Sequence, residues 1–490
     1  MRTIGKLGNL AALAPAWSWT GGPKKPHVRW ILLVITLALC LFIAVFPFRF
    51  TDVVLFGFGC FIVLMAAMRL LAVVVTIDNN PNSFEVKEGS DIAWPKFTVL
   101  VPLYREAHMV TSLMKHLSAI DYPKDRLDIV LITESDDLPT CWAVMYQLRG
   151  SFRIFEVPPS EPRTKPKALN AALMAIPPSE RGDIITVYDA EDRPHPHQLK
   201  QAALKLMREP NLAAVQAPLN YYNDKENLLT ALFSLEYAAL FHVWNPALAK
   251  LGLPFTLGGT SNHIRRDILE ACGGWDAHNV TEDADLSFRI TAMSRQNRKL
   301  KIGTITLPTQ EEAVSNHKDW VAQRSRWMKG FMQTWRVHMR SQQTAPDGKP
   351  FSKLARVRNL LALQITVGST LLAAYLHVPS LLIMIGIYAA NICDVISLQW
   401  PLAFLMVMAT GYGAAILTGI IGAIRAKKPY LVKYTVLMPL YWLLYFRPVL
   451  MATREIIVAP AYWRKTVHKG TSNSHSKKTL SLEPANDPLI

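Results

Sequence analysis

The chain has 490 residues, half of them hydrophobic, and a formal net charge of +16. Five scattered cysteines, Cys40, Cys60, Cys141, Cys272 and Cys393, form no CxxC pair or Cys/His cluster. That pattern excludes a disulfide framework and structural zinc, and it points to a reducing compartment. The basic excess carries no stripe interleaved with aromatics, which argues against nucleic acid. It fits Lys and Arg flanking apolar helices near anionic lipid.

The apolar residues concentrate at the two ends. Trp30 to Phe48 is long enough to cross a hydrocarbon core of roughly 30 Å. Lys24, Lys25 and Arg29 precede it, so its start is expected inside. A second run, about Val53 to Val75, returns the chain. Arg69 near its inner end is placed to snorkel to the interface. Further runs cover about Leu360 to Tyr375, Pro379 to Ile392, Leu402 to Ile424 and Tyr434 to Val458. Crossing all four sets Arg425, Lys427, Lys428 and Lys433 outside, against the positive-inside rule. Making the first and last interfacial removes that conflict, so four to six crossings remain open. The division is therefore residues 1–76 (cytoplasmic segment and two transmembrane helices), 77–340 (cytoplasmic α/β domain), 341–464 (interfacial and transmembrane helices) and a disordered tail, 465–490.

The middle reads as alternating strand and helix. Lys96 to Tyr104 is a short β-branched run, Ala107 to Ser118 a helix, Leu127 to Thr133 a second strand and Asp183 to Tyr188 a third. Acids stand at the strand ends: Glu134-Ser-Asp-Asp137 and Asp189-Ala-Glu-Asp192. In doubly wound sheets, ligands bind beyond the carboxyl ends of strands. Carboxylates two apart can share a hard cation with a substrate diphosphate, although acids also occur there as turn formers and caps. No GxxxxGK[ST] or GxGxxG phosphate loop occurs.

A third acidic element, Thr281-Glu-Asp-Ala-Asp285, opens a helix expected over Glu282 to Met293, with Asp283 in its first turn. Then comes Gln323-Arg-Ser-Arg-Trp327, whose Gln323, Arg326 and Trp327 share a helical face. An Arg fork beside an indole suits a pyrophosphate next to a sugar. The same stretch also reads as a basic helix laying Lys318, Arg324, Lys329, Arg336 and Arg340 on lipid headgroups. His195 and His197 are expected as polar caps rather than metal ligands. His263 is either acceptor-facing or structural.

Taken in order from about Phe97 to Arg340, these elements resemble the inverting family 2 glycosyltransferases of GT-A fold. More narrowly, they are similar to the membrane-integrated synthases of cellulose, curdlan, chitin and hyaluronan. Gly258-Gly-Thr-Ser-Asn-His-Ile-Arg-Arg266, Gly273-Gly-Trp and the tail Trp463 to His468 share in the likeness. The resemblance implies a Rossmann-like α/β domain of GT-A type on an α-helical transmembrane region of a bacterial inner membrane. It implies an enzyme moving a hexose, with UDP-glucose the expected donor, onto a growing β-linked glycan exported across the membrane. One sugar added to a lipid-linked acceptor or glycolipid is the alternative. Pro102, Tyr104 and Glu106 would border a uridine pocket, Glu134 and Asp136 would contact the nucleoside, and Lys167 would approach the diphosphate. Asp189 and Glu191 would hold Mg²⁺ or Mn²⁺, with Glu where the family usually has Asp and with Asp192 able to substitute. Asp283 would be the general base, and Gln323, Arg326 and Trp327 would match the Gln-x-x-Arg-Trp motif. Gly258, Gly259, Thr260, Ser261, Glu282 and Trp327 would lie near the acceptor. Implied partners are the nucleotide-sugar, the acceptor, membrane lipid and a periplasmic export protein.

Overall fold

The computed structural model describes residues 15–20, 47–78, 92–147, 152–159, 161–295, 298–340, 344–393 and 401–459. Helix α1 (Pro47–Val75) leads into strand β1 (Phe97–Leu103), helix α2 (Val110–Ser118), strand β2 (Leu127–Glu134), helix α3 (Leu138–Gln147) and strand β3 (Phe152–Val157). Helix α4 (Lys165–Ala175), strands β4 (Ile184–Val187) and β5 (Arg193–Pro194) and helix α5 (Gln198–Arg208) follow. Next are β6 (Leu212–Gln216), β7 (Leu219–Tyr221), α6 (Leu228–Ala239), a π-helical turn (Leu240–Trp244), α7 (Asn245–Lys250), β8 (Asn262–Arg265) and α8 (Arg266–Ala271). Helix α9 (Glu282–Ala292), the ribbon β9–β10 (Ser294–Arg295, Arg298–Lys299), β11 (Lys301–Thr304) and β12 (Thr309–Glu311) precede the long α10 (His317–His338).

The seven-stranded sheet has the order β11-β6-β8-β4-β1-β2-β3. Its strands run parallel except β8, which is antiparallel to β4 and β6. The side-chain period of two divides the core between both faces. Val99 and Val101 of β1 pack with α2 and α5, whereas Leu100 packs with α4. A small sheet, β5-β12-β7, borders the carboxyl ends of the central strands. The predicted strands match β1, β2 and β4 closely, and the helix expected from Ala107 divides into a 3₁₀ turn (Ala107–Met109) and α2.

Beyond α10 the chain forms α11 (Lys353–Leu363), a π-helical turn (Gln364–Gly368), α12 (Ser369–Ile392), α13 (Pro401–Arg425), α14 (Met438–Leu443) and α15 (Phe446–Val458). Among the described residues, four stretches are long and apolar enough to cross a membrane: Phe56–Val75, Lys353–Ala390, Leu405–Arg425 and Pro429–Val458. The runs Leu360 to Tyr375 and Pro379 to Ile392 are thus one helix and not two crossings. Pro379 sits inside it. The stretch Pro429–Val458 is broken into a 3₁₀ segment and two helices. The run Trp30 to Phe48, but for its last two residues, lies outside the described residues. So do Trp463 to His468 and the tail.

Arg69 lines the cleft, its guanidinium 5.9 Å from the Trp244 ring centroid. Two further expectations change. Arg324 and Lys329 do not face lipid headgroups. Both are buried, pairing with Glu236 at 2.5 Å and Glu455 at 3.2 Å, because a cation held inside needs a counter-charge. His197 occupies the N-cap of α5 without a side-chain capping bond, its ring instead meeting Asp121 at 2.9 Å.

Candidate active site

A cleft of about 920 Å³ opens beyond the carboxyl ends of β1, β2 and β4. It gathers Pro102, Tyr104, Glu106, Glu134, Asp189, Glu191, Gly258, Gly259, Thr260, Glu282, Asp283, Gln323, Arg326 and Trp327. Local folding explains why these side chains meet. Strand β1 ends at a kink where Arg105, a non-glycine residue, adopts φ 55°. Its N–H donates to Asp137 at 2.5 Å and that of Glu106 to Thr140 at 3.1 Å, which fixes Tyr104 and Glu106 over the cleft. After β4, Asp192 folds back to accept from the Asp189 N–H at 2.8 Å and from the Thr260 hydroxyl. That turn presents Asp189 and Glu191 while Asp192 serves as its brace.

Three expected residues lie apart from the lining. Asp136 accepts from Arg163 at 2.6 Å. The Ser261 hydroxyl is buried against Thr309 at 2.6 Å. Lys167 pairs with Glu134 at 3.3 Å. The residue at the centre is Lys165, which donates to Asp189 and, at 2.8 Å, to the Gly259 carbonyl. The family resemblance points instead to Lys167, two positions along the same helix. The start of α4 at Lys165 was the available signal, since it sends positions 165 and 167 in different directions. Glu311, at the end of β12, also lines the cleft and was not anticipated.

The electrostatics are dominated by buried acids. Burial, then repulsion from Asp189 and Glu106, pushes Glu191 well above the usual carboxylate range. Burial and the neighbouring acids do the same to Asp192 and Glu311. Glu282 is pushed up to about 8 by burial and by Asp283. Burial also raises Asp283, opposed by the Ala284 N–H, Lys165 and Arg326. Against burial, Asp189 and Glu282 hold the Lys165 ammonium above its ordinary range. This excess of buried carboxylate over cation fits a divalent ion at Asp189 and Glu191. Among the described residues no three His, Cys, Asp or Glu groups converge on one point, so such an ion would complete its shell with substrate and water oxygens.

Helix α10 holds the far wall. Gln333 accepts from the Val280 N–H at 3.0 Å, and Asn279 donates to Thr334 at 3.1 Å. These bonds tie α10 to the turn before Asp283. Trp327 lies 6.2 Å from Tyr237, ring to ring, at 28°. Arg324 sits 4.3 Å from the Trp327 ring and fixes the indole from behind. His263 is structural: it is fully buried and bonded through Nδ1 to Thr186 at 2.7 Å.

Residues 184–450 match the model of Glycosyl transferase family group 2. A protein of Bacillus subtilis (strain 168) described as "Probable glycosyltransferase YdaM" is 28% identical over 241 residues, which is 48% of this chain and 55% of that protein. A "Beta-monoglucosyldiacylglycerol synthase" of Trichormus variabilis is 28% identical over 246 residues, 49% of this chain and 50% of that one. The chain spans about half the length of the curated relatives it matches. Among solved structures, a Pyrobaculum calidifontis mannosyltransferase in complex with GDP-Man and Mn²⁺ aligns with TM-score 0.47 and 19% identity, covering 81% of this chain and 98% of the other. The family match covers more than half of the chain, from β4 through the cleft into the apolar helices: this protein belongs to glycosyl transferase family group 2.

Proposed function

We propose that the chain is an inverting hexosyltransferase that uses a nucleotide-diphosphate sugar, with UDP-glucose the first donor to test. The observation that carries this reading is the meeting of Asp283, Lys165, Asp189 and Arg326 around one cleft. Asp283 takes the proton of an acceptor hydroxyl. That oxygen attacks the anomeric carbon on the face opposite the nucleotide and forms the new bond. The bond from that carbon to the diphosphate oxygen breaks, and its electron pair leaves on the β-phosphate. An α-linked donor therefore yields a β-glycoside. Lys165 and Arg326 offset the charge that develops on the leaving diphosphate. A divalent cation, Mg²⁺ or Mn²⁺, bound by Asp189 and Glu191 would add Lewis-acid neutralisation there. Pro102, Tyr104, Glu106 and Glu134 border the nucleoside end. Trp327, Glu282 and the Gly258–Gly259–Thr260 bend border the acceptor end.

On this reading residues 77–340 are the catalytic domain on the cytoplasmic side of a bacterial inner membrane. The acceptor is the end of a growing β-linked glycan that passes on between the helices. One observation favours a second reading, a single sugar added to a lipid-linked acceptor. The cleft continues between the apolar helices to Met65, Thr370, Thr418 and Trp442, and one matching relative is named for glucosyl-lipid synthesis. The test is a donor screen on purified protein in liposomes, reading nucleotide release and product size. A long glycan supports the first reading and a one-sugar glycolipid the second. Absence of nucleotide release with every donor refutes both.

A further inference from the structure

The short segment Pro15–Thr20, ahead of the first apolar run, lies against the catalytic domain. Trp17 is 1% exposed, packed among Ala292, Phe351 and Ala355. Its indole N–H donates to the Thr344 carbonyl at 3.2 Å. The Trp19 N–H and the Ser18 hydroxyl both donate to Asp276, at 2.8 and 3.2 Å. Arg340, at the end of α10, donates to the Ser18 carbonyl at 2.9 Å, and Arg336 lies 5.2 Å from the Trp19 ring.

Both contact sets lead to Asp283. Asp276 belongs to the turn 273–281 that runs into α9, and that turn is also tied through Asn170 to Trp275 at 2.7 and 3.0 Å. On the opposite side, the Trp17 ring lies 5.6 Å from His338. The His338 ring bonds Asp285 at 2.8 Å, two residues beyond Asp283 on the same helix. Asp285 also accepts from Arg289 at 2.7 Å, and Arg289 reaches back to the Cys272 and Gly274 carbonyls at 2.7 Å. The first turn of α9 is therefore gripped from its preceding loop and from its back, and the segment 15–20 touches both grips.

We infer that Pro15–Thr20 is a positioning element for the reaction: by docking Trp17 on His338 and Trp19 on Asp276, it sets the reach of the Asp283 carboxylate. The inference rests on Asp283 being the base. Among the described residues, none of Pro15–Thr20 lines the cleft, so loss of the segment acts on turnover and not on donor affinity.

The test compares Trp17→Ala, Trp17→Phe and Asp283→Asn in the full-length protein, reading kcat, donor KM, the acid limb of the pH–rate profile and thermal unfolding. The expected result for Trp17→Ala, measured well below each variant's unfolding temperature, is a fall in kcat of at least tenfold, donor KM within about twofold and a displaced acid limb. Trp17→Phe recovers most of the rate, since an aromatic ring again covers His338. A Trp17→Ala kcat within twofold of the parent overturns the inference, as does a loss that merely follows lower unfolding temperature or weaker donor binding. Asp283→Asn separates the two ideas. If it keeps full turnover, the base assignment itself fails; if it is inactive while Trp17→Ala is normal, only the positioning role fails.

Discussion

Two lysines two positions apart carry different work, and side-chain direction decides which. Lys165 bonds Asp189 and the Gly259 carbonyl inside the cleft, while Lys167 pairs with Glu134 at the rim. Lys165→Ala is expected to raise donor KM at least tenfold, because one charge-assisted bond to a phosphate is worth roughly 1.5–3 kcal/mol. Lys167→Ala is expected to raise it less than about threefold. Steady-state kinetics on the two variants checks the contrast. Glu282 supplies a pH signature. Its folded-state pKa, about 8, stands above its ordinary value of 4.5. Between those values the folded chain holds the extra proton, so this residue's contribution to stability falls as pH rises through the window. Glu282→Gln should therefore raise the unfolding temperature more at pH 8 than at pH 5. An equal shift at both values contradicts the assignment. The acids themselves were legible from the sequence because they stand at strand ends. Glu311 was not, since its place in the cleft comes from the pairing of β12 with β7, a contact ninety residues apart in the chain.

At the scale of elements, the seam between α10 and the turn before α9 decides where Asp283 stands. A Cβ on Gly330 would meet Thr281 atoms at 2.4–2.8 Å. No rotamer of Thr281 clears its own Cβ, so α10 would have to move away from Asp283. Gly330→Ala is expected to cost about 1–3 kcal/mol and to lower kcat. Adding Thr281→Ala should recover part of both, and a double-mutant cycle by denaturant unfolding and kinetics measures the coupling. Strands β1, β2 and β4 and the start of α9 could be read from β-branched runs and from the Thr281–Glu282 boundary. The fusion of two apolar runs into α11–α12 could not. Its cause is that the helix continues through Pro379 and a π-helical turn, features with no distinct hydropathy. The basic residues of α10 misled for a related reason: Arg324 and Lys329 find their acids, Glu236 and Glu455, on distant elements.

For the whole molecule, the apolar helices pack directly against the α/β domain around the cleft. Helix α13 approaches α6 so closely that a Cβ on Gly422 would lie 2.6 Å from the Ala238 carbonyl group. Arg425 at its end donates to the Thr76 carbonyl at 2.6 Å and to the His242 carbonyl at 3.2 Å. Gly422→Ala should lower stability by about 1–3 kcal/mol and reduce turnover, because α6 carries Tyr237 against Trp327. Unfolding and turnover measured in the same liposomes check both effects. The composition alone shows a less apolar middle between apolar ends. It does not show that one cleft runs from the buried acids into the helices, since that continuity depends on how two π-helical turns, Leu240–Trp244 and Gln364–Gly368, face the same space.

The most direct measurement of the central claim is turnover by Asp283→Asn beside the parent protein, with donor binding measured separately and the product's anomeric configuration read by NMR. The expected result is a β-linked product from an α-linked donor, unchanged donor affinity and a fall in kcat of about 10²–10⁴-fold for the variant. An α-linked product, or full turnover by Asp283→Asn, contradicts it.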